Sequence, residues 1–87
     1  MVSQKVVITN PTGLHLRPAG VLCNEAMKFT SRVTFRHGND VSNAKSVLSV
    51  LGACIKSGCE IELICEGEDE EVALAAMIKA VESGLGE

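Results

Sequence analysis

Val2 to Thr9 alternates, with Val6 and Ile8 on one side, and this period of two predicts a strand. Asn10-Pro11-Thr12-Gly13 interrupts it. Proline fixes one backbone dihedral and glycine permits an unusual one, so a loop is expected there. Apolar positions then recur at intervals of three and four: Ala19, Leu22, Cys23, Ala26 and Phe29. That spacing predicts an amphipathic helix. Pro18 falls in its first turn, where a missing N–H costs little. Arg32 to His37 alternates again, with Val33 and Phe35 facing inward. Gly38-Asn39 predicts a turn, and Asp40 to Asn43 returns as the paired strand.

Val47, Leu48, Val50 and Leu51 suit a short helix with Ser46 near its N-cap and Gly52 at its end. Gly58 closes the loop that follows. Cys59 to Glu66 is the clearest strand: Cys59, Ile61, Leu63 and Cys65 point in, while Glu60, Glu62 and Glu66 point to water. After Gly67, the acidic run Glu68 to Glu71 opens a last helix at the end whose dipole favours negative charge. Leu74, Met77, Ile78, Val81 and Leu85 form its expected buried stripe. The order β-α-β-β-α-β-α predicts an α+β open-faced sandwich, with four strands and three helices on one face. Residues 1–87 read as a single domain, without a repeat or linker.

Composition narrows the functional classes. Hydrophobic residues make up 46% of the 87, enough for a core, so global disorder is excluded. Phe29 and Phe35 are the two aromatics, so that core must be aliphatic. A net charge of −3 and a pI near 5.3 argue against a nucleic-acid surface. No apolar run reaches the length of a membrane span, and the first nine residues lack a signal-peptide block. A cytoplasmic location is expected. Cys23, Cys54, Cys59 and Cys65 show no C-x-x-C spacing and no zinc pattern with either histidine. They read as buried small hydrophobes kept reduced in the cytosol, with no metal. His37, at a hairpin end, reads as a solvated turn residue without a role.

Chemistry concentrates in Gly13-Leu14-His15-Leu16-Arg17-Pro18-Ala19. Here a histidine stands at the mouth of a helix, two residues before an arginine. The first N–H groups of a helix have no partners within it, and the dipole makes that end positive. An anion placed there meets ready donors, and Arg17 can grip phosphate oxygens. Neutral imidazole has a lone pair and can accept a phosphoryl group. Phosphoryl transfer depends mostly on positioning and electrostatics, so little other machinery is needed. Spacing alone favours a surface histidine that caps a helix, and no acid, second histidine or metal motif accompanies it.

These residues resemble the active-site motif of the HPr family, the histidine-containing phosphocarriers of the bacterial sugar phosphotransferase system. Asn43-Ala44-Lys45-Ser46, followed by Val47-Leu48 and Leu51, resembles the family's second signature. The resemblance runs over essentially the whole chain and includes the Gly-Glu-Asp-Glu entry to the last helix. It implies that His15 receives phosphate on Nδ1 from phosphorylated enzyme I, whose own donor is phosphoenolpyruvate. His15 would then pass it to the A component of a sugar-specific enzyme II. Arg17 and the backbone N–H groups of Leu16 and Arg17 would stabilise the phosphate. Such a protein is a transfer component without a cofactor rather than an autonomous enzyme. The docking surface implied is the helix from Leu16 and the helix after Ser46, with Gly20 and Lys56 nearby. Val47, Leu48 and Leu51 would give it an apolar patch, about half of it exposed.

In many Gram-positive relatives the serine matching Ser46 is phosphorylated by an HPr kinase/phosphorylase. The product joins a transcriptional regulator of carbon catabolite repression. By this resemblance Ser46 is a regulatory phosphoserine. A phosphate there suits a helix N-cap and would repel an acidic partner. A plain N-cap serine has the same sequence, and a module acting through Ser46 alone is the alternative function. Gly20 and Leu16 depart from the family pattern, Gly20 in a way that loosens the first helix. Regulatory paralogues without the histidine exist, but His15 is present here.

Overall fold

The computed structural model describes residues 1–86. Its elements are β1 (Val2–Val7), α1 (Leu16–Ala26), β2 (Arg32–His37), β3 (Asp40–Asn43), α2 (Val47–Gly52), β4 (Glu60–Glu66) and α3 (Glu70–Glu82). The order is the one the sequence predicts. The strands form one antiparallel sheet in the order β1-β4-β2-β3. Central β4 therefore pairs on both sides, and its strict alternation follows from having one dry face.

On the dry face Cys65 lies opposite Val33, Leu63 opposite Phe35 and Ile61 opposite Val6. These join Leu22, Ala26, Met77 and Val81 from the helices in one core. Burying a side chain such as Leu22 or Phe35 contributes about 1.5–3 kcal/mol. The other face is wet and charged. Lys5, Glu62 and Arg36 lie side by side across three strands, and Glu62 pairs with Arg36 at 3.3 Å.

Several boundaries shift from the expectation. β1 ends at Val7 rather than Thr9. Ile8 stays buried and still exchanges hydrogen bonds with the loop before β4, donating to the Cys59 carbonyl at 2.9 Å and accepting from Gly58 N–H at 2.7 Å. β4 starts at Glu60, which leaves Cys59 just outside it and half-buried. α1 stops at Ala26, before Phe29. The chain then tightens, with Lys28 N–H on Glu25 O and Phe29 N–H on Ala26 O, and this leaves Phe29 half-buried at the core's edge. In α3 the fully buried line is Ala73, Met77 and Val81, continued by Leu85 beyond the helix. Leu74 and Ile78 flank it and are half-buried.

The cysteine expectation holds for Cys23 and Cys65 and fails for Cys54. Burial, with Asp69 and Glu70 nearby, pushes the Cys65 thiol up. Cys54 follows α2 with φ +55°, a left-handed turn, and its side chain is exposed. Residue spacing carries no signal for such a turn when the residue is not glycine.

Candidate functional site

His15 is the N-cap of α1, with extended backbone (φ −76°, ψ −176°). Its carbonyl accepts the first intrahelical bond, from Ala19 N–H at 2.8 Å. The N–H groups of Leu16 and Arg17 precede that donor and have no partner within the helix, and Pro18 has none to offer. Two backbone donors thus sit beside His15 at the positive end of an eleven-residue helix. The imidazole is exposed and makes no capping hydrogen bond. Arg17 is exposed as well. The mouth of α1 thus offers backbone donors of the kind that suit an anion, with an exposed imidazole at its rim.

The loop before it is seated on a second segment. Gly13 N–H donates to Asn10 O at 3.1 Å, and Leu14 N–H donates to Ile55 O at 2.9 Å. Leu14 is buried. Gly13 has φ +68°, and a Cβ there would lie 2.6 Å from Ile55 O and 2.8 Å from Lys56 Cα. Only glycine fits so close to another backbone. The contact makes a shallow groove of about 320 Å³ beside His15. His15 and Leu16 line one side, Leu51, Cys54 and Lys56 the other, over Leu14 and Ile55. A larger depression of about 630 Å³ lies between α2 and the β2–β3 hairpin, lined by polar residues such as Arg32, Asp40 and Ser49, and includes no predicted site residue.

Ser46 is the N-cap of α2, and its hydroxyl accepts from Ser49 N–H at 3.2 Å. The entry to α2 is also tied to α1: Lys45 Nζ donates to Phe29 O at 2.7 Å, and Cys23 Sγ donates to Lys45 O at 3.2 Å. Leu16 and Leu48 are the most exposed of the expected apolar docking residues, at 70% and 82%. Val47 and Leu51 are half-buried, and Val50 takes the core position of α2. Gly20 is half-buried on α1 and Lys56 is exposed. The fold thus brings His15, Leu16, Leu51 and Lys56 around one groove, with Arg17 at the helix mouth; Val47, Leu48 and Gly20 lie outside the groove lining.

Pattern reading misses Asn10, Cys54 and the Lys45–Cys23 tie. The Asn-Pro-Thr-Gly turn carried a signal for Asn10, since asparagine side chains bond to nearby backbone. Among the described residues, no three His, Cys, Asp or Glu side chains cluster as a metal site, and no helix is long and apolar enough to cross a membrane.

The family model for the PTS HPr component phosphorylation site matches residues 2–83. The phosphocarrier protein HPr of Lysinibacillus sphaericus is 36% identical over 88 residues, covering 100% of each chain. The HPr-like protein Crh of Bacillus subtilis is 39% identical over 82 residues, 94% of this chain and 96% of that one. The match to the multiphosphoryl transfer protein of Haemophilus influenzae, 37% identical over 83 residues, takes in 92% of this chain but 17% of that protein's length. Among solved structures, HPr-C-His from Thermoanaerobacter tengcongensis superposes with a TM-score of 0.96 at 37% identity, over 100% of this chain and 98% of that one. With this fold, this helix mouth and a family model spanning nearly the whole chain, the protein belongs to the HPr family of phosphocarriers.

Proposed function

We propose that His15 accepts a phosphoryl group from phosphorylated enzyme I and passes it to the A component of a sugar-specific enzyme II. The observation that carries this reading is the exposed, uncapped imidazole beside the N–H groups of Leu16 and Arg17, which have no partner within the helix. In the forward step a bond forms between imidazole Nδ1 and phosphorus while the bond to the donor's atom breaks. The transferred group brings negative oxygens to the helix mouth. Leu16 N–H, Arg17 N–H and the Arg17 guanidinium would bind them, and the helix dipole would add to the attraction. The same groups serve the reverse displacement, in which the next acceptor takes the phosphoryl group. The chain supplies position and charge, and its partners supply the donor and acceptor atoms.

The surroundings suit docking to acidic partners. Residues 11–24 and 44–59 contain Arg17, Lys45 and Lys56 and no Asp or Glu. Seven acids lie between Glu60 and Glu71 instead. A chain of net charge −3 thus has beside His15 a groove lined by Leu16, Leu51 and Lys56 with no carboxylate, while Leu48, Val47 and Gly20 lie outside that lining on the two helices. Complementary charge speeds encounter, and an exposed leucine such as Leu48 can anchor a brief complex.

Intact mass after mixing the protein with phosphoenolpyruvate and catalytic enzyme I tests the reading. One phosphoryl group should be gained, lost in mild acid, and absent in His15→Ala. No gain with a competent enzyme I would overturn it.

A second reading rests on Ser46. Its hydroxyl caps α2, the helix whose Leu51 lines the groove beside His15, so a phosphate there would add negative charge to a docking helix. The Crh-like match makes a regulatory role in carbon catabolite repression the alternative, with an HPr kinase/phosphorylase and a transcriptional regulator as partners. Loss of regulator binding in Ser46→Ala, with kinase and ATP present, would support it; unchanged binding would remove it.

A further inference from the structure

The peptide unit between Gly13 and Leu14 is held at both ends. Its carbonyl accepts from Asn10 Nδ2 at 2.6 Å and from Thr12 Oγ1 at 3.5 Å. Its N–H, that of Leu14, donates to Ile55 O at 2.9 Å. The anchors come from opposite directions, one from the loop itself and one from the segment after α2. Asn10 is 3% exposed, so water does not compete strongly for its amide. The Asn10 carbonyl also accepts from Gly13 N–H, which closes the turn from the backbone side.

One residue further on stands His15, whose side chain makes no capping bond. The imidazole therefore depends on its backbone for placement. The chain enters His15 from the clamped peptide and leaves it into α1.

We propose that Asn10 is a positioning residue for phosphoryl transfer at His15. Its side-chain amide locks the Gly13–Leu14 peptide plane against the Ile55 carbonyl. That sets the His15 Cα relative to the N–H groups of Leu16 and Arg17. The inference rests on His15 being the phosphoryl acceptor. It goes beyond it by naming a buried residue that touches neither phosphate nor partner. Phosphoryl transfer is sensitive to such placement, since a shift on the order of 1 Å can cost about 100-fold in rate. Docking should be spared, because Leu48 and Lys56 lie on other segments and are exposed. A merely structural Asn10 would alter stability and leave turnover of the folded protein alone.

Asn10→Asp tests this. It keeps the shape, but an ionised carboxylate cannot donate to the Gly13 carbonyl. Asn10→Ser keeps a donor on a shorter arm. Phosphorylation of each full-length variant by phosphorylated enzyme I is followed by rapid quench, with kcat and KM separated and folding checked by circular dichroism. The expected result for Asn10→Asp is a kcat about tenfold lower with KM changed less than about threefold, and for Asn10→Ser a kcat in between. A folded Asn10→Asp protein with wild-type kcat, or a loss confined to KM, overturns the proposal. If Asn10→Asp fails to fold, Asn10→Ser decides by the same split. A wild-type protein that gains no phosphate overturns the acceptor reading itself. Normal wild-type turnover with an unaffected variant overturns only the clamp.

Discussion

The carboxylate of Asp69 accepts a hydrogen bond from the hydroxyl of Ser31, 38 residues away in the chain. The same carboxylate accepts from Ser31 N–H at 2.9 Å and Thr30 N–H at 3.0 Å. Asp69 stands at the N-cap of α3 but does not cap it with its side chain. It caps the entry to β2 instead, and so ties the last helix to the sheet. The Ser31 hydroxyl first, and then the backbone N–H groups, hold its carboxyl at about 2, below the ordinary 3.8. The folded state thus favours the charged form. Its stabilisation is whole above about pH 4 and is lost as pH falls toward about 2. Asp69→Asn is expected to lower the denaturation midpoint at pH 7 and to flatten the pH dependence across that window. Parallel curves for the two proteins would show that the group contributes nothing to acid sensitivity.

Two glycines near the site should respond to alanine in opposite directions. Gly20 lies inside α1 with no heavy atom within 4 Å of the Cβ position. Gly20→Ala should stabilise the protein by about 0.5–1 kcal/mol, through reduced freedom of the unfolded chain. Gly13 has φ +68° and backs onto the Ile55 carbonyl. Gly13→Ala should destabilise by about 1–3 kcal/mol, because rigid backbone cannot move away cheaply. Urea titration of both variants checks the pair. A Gly13→Ala protein as stable as wild type would mean the two loops are not so closely apposed.

Much of the fold is legible in the sequence because β4 and α1 are strictly patterned. Ile61, Leu63 and Cys65 keep period two beneath the helices, and Ala19, Leu22, Cys23 and Ala26 keep the helical period. The site was legible in part. His15 and Arg17 stand in a motif whose helix-mouth chemistry is local, so neighbours in sequence suffice. Asn10, Cys54 and Lys45 were not legible in that way. Their roles arise where Ile55 meets Gly13 and where Phe29 meets Lys45, contacts between segments that are 42 and 16 residues apart. Phe29 and Leu74 show the opposite failure. Each sits on the right periodicity, yet helix end and helix rotation leave it only half-buried.

The four cysteines should differ sharply in reactivity. Cys23 and Cys65 are buried, Cys59 is half-buried and Cys54 is exposed. Burial also raises the Cys65 thiol and so disfavours its reactive thiolate. Iodoacetamide at neutral pH should therefore label Cys54 first, as read by peptide mass mapping. Cys54 also lines the groove beside His15, so the added group should obstruct a docked partner. Labelling should slow phosphorylation by enzyme I, and Cys54→Ser should be immune to the reagent. Equal labelling of Cys54 and Cys65 would contradict the burial pattern, and full activity after labelling would place the partner elsewhere.

Leu48 and Val50 lie two residues apart on α2 and should separate docking from folding. Val50 is fully buried, and Leu48 is 82% exposed. Val50→Ala removes two methyl groups from the core and should cost about 1–3 kcal/mol of stability. Leu48→Ala should change stability by less than about 0.5 kcal/mol, since the side chain is already in water. If Leu48 anchors enzyme I, its truncation should raise KM for phosphoryl transfer about tenfold, the effect of losing one well-packed interface residue. The acceptor chemistry at His15 is untouched by this change, so kcat should stay near wild type. An unchanged KM would remove Leu48 from the docking face and leave Leu16, Leu51 and Lys56, which line the groove itself, as the contacts that matter.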